Sequence, residues 1–146
     1  MISVGDGDTL RVLDGGRKVT IRLACIDAPE TAQAPQGGLA REALKRLAPV
    51  GSEVSLRPQT TDRYGRRVAE VIRGGENVNR TLVRTGQAFV YEQYLDQCHA
   101  LAYRQAQRVA EFQRVGVWSV PGGITRPWEW RAARRGGGSP RPRTAR

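Results

Sequence analysis

Thr9-Leu10-Arg11-Val12-Leu13-Asp14-Gly15-Gly16-Arg17-Lys18-Val19-Thr20-Ile21-Arg22-Leu23 is the stretch that decides the fold. Polar and apolar residues alternate on both sides of Asp14-Gly15-Gly16. That pattern predicts two antiparallel strands joined by a tight turn. Downstream, residues 53–56 and 67–72 read as two more short strands, the second closed by Gly74-Gly75. Between them, residues 39–47 carry helical spacing and stop before Pro49. Asn77 is placed to cap a short helix through Val78, Leu82 and Val83, closed by Gly86. A longer helix is expected from about Tyr94 to Val115, with Leu95, Cys98, Leu101, Ala102, Ala106, Val109 and Phe112 on its apolar face. Gly116 would end it, and Trp118 follows as a packing anchor. About five short strands with helices at intervals predict a mainly-β α+β fold: a small barrel with helices packed on it. The OB-fold is the candidate, because it binds extended polymers on one face.

The chain has 146 residues, enough for one domain with a modest core. No run approaches the roughly 18 apolar residues of a membrane span. The N-terminus carries neither a basic leader nor an apolar stretch of export type. Arginine dominates the cations, 22 against 2 lysines, and the formal net charge is +10. Its planar fork matches phosphate, so a polyanionic partner held in a salt-dependent way is expected. Cys25 and Cys98 lack metal-ligand spacing and sit among apolar residues, which predicts buried free thiols. His99 is expected to be solvated on a polar helix.

The chemistry is concentrated in Asp6-Gly7-Asp8-Thr9 and in Arg22-Leu23-Ala24-Cys25-Ile26-Asp27-Ala28-Pro29-Glu30. Carboxylates repel one another, so clustering them beside an arginine points to a hard cation next to a bound anion. Only oxygen ligands are offered, which favours calcium or magnesium over zinc. The spacing is not that of an EF-hand. Too few carboxylates are present for two metal ions. Arg22 and Asp27 are five residues apart, so an unbroken strand would point them to opposite faces. If both serve one site, the strand must bulge or end between them, and Pro29 supports an end. A second arginine group stands in Thr61-Asp62-Arg63-Tyr64-Gly65-Arg66-Arg67. A metal, two arginines and a spare carboxylate are the parts needed to break a phosphodiester. Tyr91 and Tyr94 are candidates for packing or for stacking on bases.

These residues, in this order, resemble the staphylococcal nuclease (thermonuclease) family. The matching segments are Asp6-Gly7-Asp8-Thr9, Arg22-Leu23 with Ile26-Asp27-Ala28-Pro29-Glu30, and Thr61-Asp62-Arg63-Tyr64-Gly65-Arg66. Asn77-Val78-Asn79 through Gly86, and Gly116-Val117-Trp118-Ser119, add support. The resemblance implies a five-stranded OB barrel with about three helices. It also implies a calcium-dependent nuclease acting on DNA and RNA and leaving a 3′-phosphate. It makes Asp8 and Asp27 direct ligands of one calcium ion, adds the Ala28 carbonyl, and puts Asp6 in the outer shell. It gives Glu30 the attacking water to orient or deprotonate, and gives Arg22 and Arg66 the scissile phosphate. Arg63 and Tyr64 would line the nucleotide pocket, with Asp62 bracing the loop. The family's type member has threonine where this chain has Ala28, a change that spares a carbonyl ligand.

Residues 1–122 are expected to form this domain and act as a monomer, away from membranes. Residues 123–130 would be a tryptophan-containing docking segment. Residues 131–146, with six arginines and no acid, are expected to be a disordered basic tail. Only five residues precede Asp6, so most of a first barrel strand is expected to be missing. Either that strand is short or the true start lies further upstream, and an upstream start could also restore an export signal. The alternative functions are a catalytically silent OB module that binds nucleic acid, and a scaffold that works through its basic tail.

Overall fold

The computed structural model describes residues 1–135. The quoted stretch forms β2 (Thr9–Asp14) and β3 (Arg17–Leu23), antiparallel, with Asp14 opposite Arg17. Gly15 and Gly16 take φ of 58° and 80°, the left-handed pair that lets a two-residue turn follow the twist of its strands. Leu10, Val12, Ile21 and Leu23 are buried, so the alternation read from the sequence is the core face. A short β1 (Ser3–Val4) pairs with β2.

After β3 the chain forms β4 (Ile26–Asp27) and α1 (Gln36–Leu47), then β5 (Ser55–Thr61) and β6 (Arg67–Arg73). β6 lies parallel to β3 and antiparallel to β5, a return that needs the long crossover α1 provides. β7 (Glu76–Asn77) pairs with β6, and the sheet order is β1-β2-β3-β6-β5. β5 lies at the end of that order, where Pro58, which cannot donate to a neighbour, and the irregular register beside it are tolerated. A second small sheet pairs β4 with β8 (Phe89–Val90). The architecture is the expected mainly-β α+β fold of OB type.

Three helices follow in the second half. α2 (Val78–Arg84) is capped as predicted: the Asn77 side chain accepts from the Arg80 amide at 3.0 Å. α3 (Ala100–Gln113) is shorter than expected. His99 is its cap, its Nδ1 accepting from the Ala102 amide at 3.2 Å, and residues 92–94 form a separate 3₁₀ turn. The buried face of α3 is Tyr103, Ala106 and Ala110. Leu101, Val109 and Phe112 point outward, Phe112 at 90% exposure. The expected apolar stripe was rotated because it was phased on Leu95 and Cys98, which precede the helix.

Two further expectations are corrected. Cys25 and Cys98 are not free thiols but form a disulfide between Cα atoms 6.5 Å apart. Burial was read correctly for Cys25, but nothing in the spacing reveals a partner 73 residues away. The segment around Trp128 does not end at residue 130: α4 runs Pro127–Arg135, so residues 131–135 are helical. The rest of the expected tail, residues 136–146, lies outside the described residues. α4 rests on a small satellite core of Phe89, Ala110, Val117 and Trp118, with Ile124 and Trp128 against it. No helix among the described residues is long and apolar enough to cross a membrane.

Candidate active site

The β3 strand ends at Leu23, and Cys25 takes a left-handed conformation with φ of 70°. This break, earlier than the one Pro29 suggested, turns the chain so that Arg22 and Asp27 meet. Asp27 is fully buried on β4. Its Oδ1 accepts from Arg22 Nη2 at 3.4 Å. Asp8 closes the arrangement from the other acidic stretch: its Oδ2 accepts from the Ala28 amide at 2.8 Å and lies 3.5 Å from Arg22 Nη1. Asp6 accepts from the Asp8 amide at 3.3 Å. Gly7 between them is required by close approach, since a Cβ there would lie 2.6 Å from the Ala40 Cβ on α1.

The electrostatics follow from burying several acids together. Burial, reinforced by the Asp8 charge, pushes Asp6 up to about 7. Burial also pushes Asp27 up to about 6, with Asp8 adding to it and arginines opposing. Asp8 is buried as well, but Arg22 and hydrogen bonds from Asp6, Ala28 and Asp27 outweigh burial and hold it below the ordinary range. Arg22 stays firmly charged because Asp8 and Asp27 more than offset its burial.

The facing wall is the loop 62–66 between β5 and β6. Asp62 Oδ1 accepts from the amides of Tyr64 at 3.0 Å and Arg66 at 2.9 Å, while Oδ2 pairs with Arg66 Nε at 2.7 Å. Asp62 thus braces the loop as expected; burial opposes its charge, but these bonds together with the Arg66 charge outweigh burial and hold its carboxyl below the ordinary range. Arg63 lies over the Tyr64 ring at 5.1 Å and Arg66 at 5.5 Å. A cleft of about 720 Å³ brings Asp6, Asp8, Arg22, Asp27 and Glu30 to face Arg63, Tyr64 and Arg66. Of the expected site residues only Ala28 is not among those lining it; Ala28 is buried, and its amide donates to Asp8 Oδ2. Tyr91 and Tyr94 also border the cleft, 4.9 Å apart and edge to face.

One member of the site went unpredicted. Arg131 on α4 pairs with Asp27 (Nη2 to Oδ2 2.6 Å, Nη1 to Oδ1 3.1 Å) and with Glu30 Oε1 at 3.1 Å. The composition of residues 131–146 had assigned it to a tail. The signal available was Trp128, three residues earlier and on the same side of a helix.

Asp6, Asp8, Asp27 and Glu30 gather here around Arg22 and Arg131, and every candidate metal donor is oxygen. That chemistry fits a hard divalent cation, which tolerates few protein ligands and several waters. Among the described residues no three acidic, histidine or cysteine side chains form a ready metal cage.

The fold is of OB type, and its cleft gathers acids and arginines from separate stretches of the chain. The family model described as staphylococcal nuclease homologue matches residues 20–120. A micrococcal nuclease of Shigella flexneri is 37% identical over 142 residues, covering 91% of this chain and 79% of that protein. An uncharacterized endonuclease of Escherichia coli is 38% identical over 133 residues, covering 90% and 82%. The endonuclease YncB of Bacillus subtilis is 33% identical over 134 residues, covering 82% and 61%. The chain belongs to the staphylococcal nuclease homologue family.

Proposed function

We propose that this protein is a calcium-dependent endonuclease that hydrolyses DNA, and RNA as a second substrate, with little sequence preference. The observation that carries the proposal is the meeting of Asp8 and Asp27, from separate stretches, around Arg22, with Arg66 across the same cleft. Asp8, Asp27 and the Ala28 carbonyl would hold one calcium ion, with Asp6 behind them. Bound there, the ion would supply positive charge against the phosphate.

The rest is the work of the chain's own side chains. A phosphodiester anion repels an attacking water, so its charge must be offset first. Arg22 and Arg66 would each grip the phosphate from a fixed position, a kind of contribution typically worth about 3–4 kcal/mol in the transition state. Both are held in advance, Arg22 by the buried acids and Arg66 by Asp62. Glu30 would orient the attacking water and accept its proton. Arg63 and Tyr64 would contact the adjoining nucleotide. Every side chain given a role here comes from one chain, so the proposed site needs no second copy and the protein would act as a monomer.

The test is digestion of single- and double-stranded DNA and of RNA with calcium titrated against a chelator. Acid-soluble fragments should appear with calcium and vanish on chelation. Intact substrate in the presence of well-folded protein would reject the proposal in favour of a silent binding module.

A further inference from the structure

α4 is held in place by contacts that do not involve Arg131. The Trp128 ring stacks on Tyr91 at 5.1 Å, with planes 8° apart, and meets Phe89 edge-on at 6.0 Å. Arg126 lies 4.5 Å over the Phe89 ring and 4.9 Å over Trp118. Gln33 joins the start of this region to the Glu30 backbone: its Nε2 donates to the Thr125 carbonyl at 3.0 Å and its Oε1 accepts from the Glu30 amide at 2.9 Å. A helix anchored in this way delivers Arg131 to one spot. There a single nitrogen, Nη1, bridges Asp27 Oδ1 and Glu30 Oε1 at 3.1 Å each.

We propose that Arg131 is a positioning residue, cross-linking the Asp27 and Glu30 carboxylates so that Glu30 is held at a fixed place beside the phosphate site. The inference rests on the role given to Glu30 above. Glu30 lies on a loop outside the described helices and strands, and its long side chain has rotamers to lose. A base that must address one water needs its carboxylate fixed to within about 0.5 Å, and misplacement by about 1 Å can cost 100-fold. Asp27 is fully buried and makes a rigid reference point. The planar guanidinium can reach both carboxylates at once, which the single ammonium of lysine does less well. Arg131 also offsets part of the repulsion between Asp27 and Glu30, so the two can stay close.

The test combines turnover with two readouts that need no cleavage. Arg131→Ala should lower kcat about 10- to 100-fold while KM changes by less than about threefold, with Arg131→Lys in between. Calcium affinity, measured by calorimetry on the protein without nucleic acid, should be unchanged or tighter, because a neighbouring positive charge is gone. Tryptophan fluorescence should stay as in the wild type, reporting that α4 remains docked. In thermal unfolding, the Tm losses of Arg131→Ala and Glu30→Gln should be less than additive in the double variant. Unchanged or raised kcat would overturn the inference and make Arg131 a block on the site. Strictly additive Tm losses would overturn it even if no cleavage were seen with the wild type. Weaker calcium binding together with altered fluorescence would also overturn it, showing that α4 had come away. Failure of the wild type to cut, with coupling intact, would reject the nuclease reading instead.

Discussion

Removing the Cys25–Cys98 bridge should destabilise the fold by an amount that its loop length sets. The two residues are 73 apart, and tying off a loop of that size restricts the unfolded chain by about 4 kcal/mol at 25 °C. For a domain of this length, about 3 °C of Tm accompanies each kcal/mol, so the midpoint should fall by about 10–15 °C. With a urea slope of about 2 kcal/mol per molar, the urea midpoint should drop by about 2 M. Local structure adds to the loss. Cys25 is a non-glycine residue in a left-handed conformation, and Gln59 Nε2 reaches both sulfurs, at 3.2 Å for Cys98 and 3.6 Å for Cys25. The assay compares urea and thermal unfolding of oxidised wild type, reduced wild type and the Cys25→Ser/Cys98→Ser variant. The last two should coincide, well below the first. Turnover well under the midpoint should stay near wild type, because Asp27 keeps its β8 pairing and its arginines. Coincident midpoints for all three proteins would refute the reasoning.

Other consequences follow from the same geometry. Glu30→Gln and Arg66→Ala should each lower single-turnover cleavage by about two or more orders of magnitude, the scale of single catalytic groups; full activity in Arg66→Ala would contradict its assignment. Gly7→Ala should cost about 1–3 kcal/mol of stability, since the new methyl meets Ala40 and α1 must move; an unshifted urea midpoint would show that the turn does not press on the helix. Deleting residues 136–146, with their three arginines, should weaken nucleic-acid binding and reduce the salt slope by up to about 3 while leaving kcat in place. A wild type that binds nucleic acid without cutting it, and loses that binding altogether on this deletion, would instead favour a scaffold that acts through its tail.

The hairpin at residues 9–23 and the Asn77 cap were legible because each is local: alternation, paired glycines and a capping side chain act within a few residues. The acidic stretches were legible as one cluster, because carboxylates gathered beside arginine have few uses in a basic chain, and the fold brings Asp6, Asp8, Asp27 and Glu30 to one cleft. What escaped depended on distant partners. The phase of α3 was misjudged because Leu95 and Cys98 are held by tertiary packing and a disulfide, not by a helix. Arg131 was assigned to a tail because composition averages over residues 131–146 and cannot register that Trp128 docks on Tyr91 and Phe89.

By itself, then, the sequence determined the strand alternation, a small α+β barrel for which the OB-fold was the candidate that the family resemblance implied, and the kinds of side chain a phosphate site would use. The tertiary structure alone decided that Cys25 bends the chain to bring Arg22 to Asp27, that Cys98 is its partner, and that a third arginine arrives from α4. The reason is physical: local propensity is written in neighbouring residues. The pairing of a buried charge is set by whichever distant side chain the packed fold carries to it, since a buried carboxylate without a partner is too costly to keep.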